Sequence, residues 1–169
     1  MVLKATMVLA VALLAPAPEE KSKLKLHTSA DGKYKVLLFE GPKTKDNKAG
    51  GITMHVVAND LGKKAVLVTH ADMPIPADET AEQTQTRLDG AKNGAINSVK
   101  AKELKSAKIT LGKHPGREFS AELPAGQGVL KARVYIVGKR LYQVLAVGPK
   151  DFVDSADVKK IFDSFELTR

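Results

Sequence analysis

Residues 128–147 read GVLKARVYIVGKRLYQVLAV, a run broken only at Gly138-Lys139. A two-residue turn at that point places Val137 opposite Arg140 and Tyr135 opposite Tyr142. One face of the hairpin then carries Arg133, Tyr135, Val137, Tyr142 and Val144, and the other carries Ala132, Val134, Ile136, Leu141 and Leu145. A strand that is polar on one side can face water, whereas one apolar on both sides has to be covered on both. The hairpin is therefore predicted to lie centrally in an antiparallel sheet, with a layer packed on each face.

The flanking segments supply the rest of the sheet and the layers. Leu24, Leu26, Tyr34, Val36 and Leu38 alternate with polar residues around Asp31-Gly32, which predicts a first hairpin. Residues 40–51, rich in Gly, Pro and Lys, predict a loop. Residues 52–58 and 65–70 predict a second hairpin, ended by Pro74 and Pro76. A helix is predicted over residues 78–99, capped by Asp78, with Glu79 and Glu82 in its first turn. Ala81, Leu88, Ala91, Ala95 and Val99 recur on one face of it, and Gly90 and Gly94 are predicted to let its backbone lie close to the sheet. Residues 107–111 and 116–123 predict further strands. A closing helix starts near Asp154, with Val153 and Val158 spaced for a hydrophobic staple and Val158, Ile161, Phe162 and Phe165 as its buried stripe. The order implies an α+β fold, an antiparallel sheet sandwiched between helices, formed as one domain over residues 24–169.

The start of the chain reads as a secretory signal. Lys4 gives a short positive segment, residues 5–15 are apolar, and Ala15-Pro16-Ala17 offers small side chains for cleavage. The apolar run is shorter than the roughly 20 residues needed to cross a bilayer. Residues 1–17 are predicted to be a signal peptide and residues 18–23 a charged linker, although Pro18 at the cleavage point opposes signal peptidase. The chain has no Cys, which excludes disulfides, thiolate zinc sites and cysteine nucleophiles. An exported domain of this kind suits a bacterial periplasm or secretion, with no transmembrane span once the signal is removed.

Charge narrows the partners. The net charge is +8, from 27 basic and 19 acidic residues, but only five of the basic residues are Arg. Scattered lysine hydrates a surface, whereas phosphate recognition favours the arginine fork. With aromatics at 5% and no Trp, this points away from nucleic acid. Lys43, Lys45 and Lys48, interrupted by Asp46, form the densest basic stretch and are the candidates for an acidic contact.

Motifs of known chemistry are few. The sequence contains no G-x-S-x-G, H-E-x-x-H or phosphate-binding loop, and Gly126-Gln-Gly128 has neither a third glycine nor a following helix. No catalytic residue and no cofactor is assigned. His55 and His70 lie on opposite arms of the second hairpin, and an odd pairing sum puts both on one face. They are candidate metal ligands with Asp72 as a third, against a reading as surface or hydrogen-bonded histidines. His27 and His114 are isolated. In the string Gly112-Lys-His-Pro-Gly-Arg-Glu118, Pro115 and Gly116 predict a turn, from which Arg117 and Glu118 leave on opposite faces. Arg117 either pairs with a carboxylate inside the domain or presents a fork to an anionic ligand. Tyr135 and Tyr142 either pack under a helix or converge on a pocket beside Arg133 and Arg140 suited to a small acidic ligand.

The strings Leu111-Gly-Lys-His-Pro-Gly-Arg-Glu118, Arg133-x-Tyr135 with Arg140-Leu-Tyr142, and Ile161-Phe-Asp-Ser-Phe165 resemble small exported bacterial proteins of the PsbP-like superfamily over residues 24–168. The resemblance implies an antiparallel sheet sandwiched by helices. Its members include a photosystem II extrinsic subunit, a eukaryotic Ran-binding transport factor and bacterial envelope proteins, so fold does not fix function. No catalytic or metal residue of the family maps onto this chain, and nothing in it supports a photosystem role. The expected function is a non-catalytic exported accessory or binding domain that contacts a protein or envelope component. A small-ligand or metal carrier using the sheet face around Tyr135, Tyr142, His55 and His70 is the alternative, and a hydrolase the third.

Overall fold

The structure, a computed structural model, describes residues 23–168. The predicted signal peptide and all of the linker but Lys23 lie outside the described residues. The strands are β1 (Leu24–Ser29), β2 (Tyr34–Phe39), β3 (Lys43–Ala49), β4 (Ile52–Asp60), β5 (Ala65–Asp72), β6 (Lys102–Leu111), β7 (His114–Glu122), β8 (Val129–Val137), β9 (Arg140–Gly148) and β10 (Glu166–Leu167). The helices are α1 (Ala81–Ser98), α2 (Lys150–Val153) and α3 (Ala156–Asp163). Seven strands form one antiparallel sheet in the order β3-β4-β5-β9-β8-β7-β6, and β1, β2 and β10 form a second, smaller sheet.

The β8–β9 hairpin sits inside the large sheet with the register its turn predicts, Tyr135 opposite Tyr142 and Val137 opposite Arg140. Gly138 takes φ 58° while Lys139 stays at negative φ, the pattern of a turn that matches strand twist. On one face Phe119, Ala121, Leu130, Ala132, Val134, Ile136 and Leu141 pack against Ile75 and against Leu88 and Ile96 of α1. On the other, Val57, Val66, Val68, Tyr135, Tyr142, Val144 and Ala146 meet Tyr34, Val36 and Leu38 of β2 together with the buried stripe of α3. Both faces are covered, but only one layer is a long helix. The second layer is the β1–β2–β10 sheet with two short helices, because β2 buries Tyr34, Val36 and Leu38 at a spacing of two.

Several boundaries differ from the sequence expectation, each for a physical reason. Residues 43–49 are not loop but edge strand, paired with β4 along their whole length. An outer strand tolerates charges that an inner one cannot, so its polar composition mimics a loop. Residues 102–106, ahead of the predicted strand, are likewise part of β6, all of them but Leu104 being charged or small and every one exposed.

Helix α1 is capped by Thr80 rather than Asp78. The Gln83 amide donates to Thr80 Oγ1 at 3.2 Å and the Thr80 amide donates to Gln83 Oε1 at 2.8 Å, a reciprocal box that satisfies two free N–H groups. Glu79 precedes the helix and binds Arg87 at 2.8 Å. Gly90 and Gly94 do not face the sheet. They are exposed, with nothing within 4 Å of where a Cβ would stand, and Ala81 and Val99 are exposed too. Helix α3 begins close to the predicted start at Asp154, with Ser155 as its cap, and Val158, Ile161, Phe162 and Phe165 are all buried as predicted. Gly116 does not turn the chain either. It lies within β7, where the Tyr135 ring crosses it so closely that a Cβ would stand 2.4 Å from Tyr135 Cδ1.

Candidate functional site

The face beneath the β1–β2 layer gathers most of the side chains that the sequence singles out. His55 and His70 are direct cross-strand neighbours on β4 and β5, and their rings stack at 4.7 Å and 21°. Asp46 of β3, opposite His55, holds His55 Nδ1 at 2.8 Å. A carboxylate oxygen can only accept, so Nδ1 carries the proton. His70 is 5% exposed and its Nδ1 has no hydrogen-bond partner. Tyr34 stands edge-on to it at 5.9 Å and Tyr142 lies tilted at 6.3 Å. Burial pushes the His70 pKa down, His55 and Arg140 push it the same way, and Asp72 and Asp31 oppose them. Tyr34, fully buried, has its hydroxyl pKa pushed up to about 12, mainly by burial.

Asp72 does not complete a metal site. Arg140 donates to both of its oxygens, Nε at 2.6 Å and Nη2 at 2.9 Å. This hydrogen bonding holds the Asp72 carboxyl below its ordinary pKa. Among the described residues no group of three or more His, Asp or Glu is placed to hold a metal ion.

Tyr135 and Tyr142 pair across the strands but do not share a pocket. Tyr142 OH donates to the Gly32 carbonyl at 2.7 Å, whereas the Tyr135 ring lies parallel to Phe165 at 5.9 Å. The arginines beside them are occupied. Arg133 Nε donates to Glu118 at 2.5 Å, and its Nη1 donates to the Phe162 carbonyl and to Asp163, both at 3.1 Å. Arg140 Nη1 reaches the Asp31 carbonyl at 2.7 Å. A shallow cavity of about 350 Å³ opens beside Tyr142, Arg140, Lys33 and Lys139, but Tyr135 takes no part in its lining.

Arg117 is 6% exposed and points into the α1 side, away from Glu118. Its Nη2 donates to Asp89 at 2.8 Å and to Gln85 at 3.1 Å, both on α1. It is placed as the carboxylate partner inside the domain that the sequence allowed.

Lys43, Lys45 and Lys48 are exposed on β3 and, among the described residues, have no ion-pair partner. Strand geometry divides them: Lys43 and Lys45 stand opposite Ala58 and Val56, and Lys48 stands on the other face opposite Thr53. The far edge of the sheet repeats the pattern. Lys102, Lys105 and Lys108 of β6 are all exposed and unpaired among the described residues. Sequence reasoning passed over these three because that half of β6 lacks apolar alternation, although the spacing of three lysines within seven residues was a visible signal.

No family model and no curated protein matches the sequence. Among solved structures, the solution structure of cyanobacterial PsbP (CyanoP) from Synechocystis sp. PCC 6803 is similar, with a TM-score of 0.62 at 14% identity over 92% of this chain and 98% of that one. A match along nearly the whole of both chains at so low an identity is a likeness of architecture, and this chain therefore has the PsbP-like fold that its turn and hairpin strings resemble.

Proposed function

We propose that the protein is a non-catalytic accessory domain of the bacterial envelope or its exterior, and that the basic outer strands of its sheet contact an acidic surface on a partner protein. One observation carries this reading. Every arginine among the described residues is neutralised within the fold, by Glu79, Asp89, Glu118 or Asp72, whereas the lysines of β3 and β6 face solvent without a partner. The paired ions serve the architecture, and each rim carries in one strand three lysines that are unpaired among the described residues. Lysine on an edge strand also opposes edge-to-edge aggregation, so its presence alone does not require a partner. The signal-like residues 1–17 support export, and the PsbP-like fold is compatible with a role in assembly rather than chemistry.

The test is charge reversal at each rim. In-cell cross-linking of the tagged protein in the envelope fraction is expected to capture a recurrent partner, and the purified pair is expected to weaken as salt rises. Lys43, Lys45 and Lys48 changed together to Glu, or Lys102, Lys105 and Lys108 changed together, should weaken that pair at low salt by at least tenfold. Unchanged affinity in both triple variants overturns the assignment of the rims as the contact.

A further inference from the structure

The β1–β2 layer shares no backbone ladder with the seven-stranded sheet. Apart from the packing of Tyr34, Val36 and Leu38, it is held to the sheet by a few hydrogen bonds at its ends, and to the end of α3 by the Leu37 amide, which donates to Ser164 Oγ at 2.8 Å. Tyr142 OH donates to the Gly32 carbonyl at 2.7 Å, Arg140 donates to the Asp31 carbonyl at 2.7 Å and Asn59 Nδ2 donates to the Phe39 carbonyl at 3.0 Å. At the turn end, next to the Gly32 and Asp31 bonds, the contact passes through Tyr34 and His70. Both are at least nine-tenths buried, and Tyr34 OH and His70 Nδ1 both lack hydrogen-bond partners. A neutral imidazole tolerates such a place far better than an imidazolium, which would bring a second N–H and a full charge into it.

The surrounding groups decide which way this seat responds to acid. From β4, His55 stacks on His70, with Asp46 of β3 holding the far side of His55. From β9 come Arg140 and the Tyr142 hydroxyl. From the covering layer come the Tyr34 hydroxyl, the Asp31 carboxylate at the turn and His27, whose ring is 6.3 Å from Tyr34. On β5 itself Asp72 is bound to Arg140 by two hydrogen bonds. Among the described residues, no carboxylate is hydrogen-bonded to His70.

We propose that the His55–His70 stack is an acid-operated latch: with His70 uncharged it seats the β1–β2 layer on the sheet, and a proton on His70 loosens that layer and exposes Tyr142 of the sheet and the inner face of Tyr34. The sign follows from linkage. Folding lowers the His70 pKa, chiefly by burial and then through His55 and Arg140, so the opened chain binds the proton more readily than the closed one. The stabilisation is fully present above the ordinary histidine value of about 6.5 and is lost as pH falls below it. Burial lowers the His27 pKa too, so His27 acts in the same direction.

Amide hydrogen exchange on the purified full chain at pH 7.5 and pH 5.5, corrected for intrinsic rates, tests the latch. Protection across residues 34–38 is expected to fall about tenfold more than protection across β8 and β9. In His70→Phe, which keeps an aromatic ring but cannot take a proton, that excess should shrink to about twofold or less, the remainder belonging to His27. A fall shared equally by the hairpin and β8–β9, or an undiminished excess in His70→Phe, overturns the proposal. If His70→Phe does not fold, His55→Gln serves in its place. Removing the neighbouring imidazole that opposes protonation brings the closed-state affinity of His70 for a proton nearer that of the opened chain, so the excess loss of protection at pH 5.5 should shrink, and an excess that stays the same or grows overturns the proposal.

Discussion

On one side of the large sheet, α1 reaches the core through Leu88 and Ile96, with Ala91 and Ala95 filling the space between. Polar ties supplement these anchors: Arg117 to Asp89 at 2.8 Å and Lys92 to Glu103 at 2.6 Å. On the other side, Tyr34, Tyr135, Tyr142 and Phe165 form a continuous group of rings, with Phe165 5.4 to 5.9 Å from each of the other three. The helix side divides its attachment among small side chains and ion pairs. The ring side concentrates it in a few large ones, and the same concentration encloses His70 with an unpartnered nitrogen. Broad apolar contact thus gives strength and acid sensitivity to the same layer, while the helix side has neither in the same degree.

The largest expected effect measures that concentration. Phe165→Ala removes the ring that joins all three tyrosines and should cost about 4 kcal/mol, with Leu88→Ala, the best-buried anchor of α1, costing about 3 kcal/mol. Urea unfolding of the two variants reads the difference directly. If Leu88→Ala costs more than Phe165→Ala, the ring side does not carry the concentrated share assigned to it.

The parts of the molecule that were legible in the sequence are those where one local pattern met one environment. The β8–β9 hairpin and the α3 stripe show their burial as strict periodicity, so register and inner face followed. That His55 and His70 share a face followed from loop length. Beta-strands β3 and the first part of β6 were not legible, because an outer strand is exposed enough to lose the alternation by which strands are recognised. Thr80-Ala-Glu-Gln83 is a visible capping box, but the acids just ahead of it at Asp78 and Glu79 gave a competing signal, and Glu79 is instead spent on Arg87. The site was legible only within single hairpins. Nothing local indicates that Tyr34 of β2 meets His70 of β5, or that Arg117 of β7 chooses Asp89 of α1, since both contacts arise between layers.

That second contact gives the next prediction. Arg117 is buried at a 6% exposure, while the side chain of Asp89 is half-exposed at 48%. Removing the carboxylate strands a buried cation, whereas replacing the cation with a long apolar side chain leaves only a hydrated carboxylate. Asp89→Asn should therefore cost about 1–2 kcal/mol, a value reduced from that of a fully buried pair because water screens Asp89. Arg117→Met should cost less. Thermal unfolding of the two variants at one salt concentration separates them, and an order opposite to this one would make the pair a source of stability rather than a means of orienting α1.

The smallest effect runs in the stabilising direction and is specific to the helix side. Gly90 and Gly94 lie inside α1, away from the sheet, at ordinary helical φ and with open space where a Cβ would stand. Neither close packing nor an unusual backbone angle requires glycine there. Glycine within a helix costs about 0.5–1 kcal/mol relative to alanine, because the unfolded chain retains more backbone freedom. Gly90→Ala and Gly94→Ala should each raise stability by about that amount, and nearly additively, since neither side chain has neighbours to displace. Hydrogen exchange should localise the gain to α1 and leave the acid response of residues 34–38 unchanged, which a tightening of the ring side would not do. A loss of stability in either variant would mean that α1 lies closer to a covering surface at those positions than the open space around them indicates.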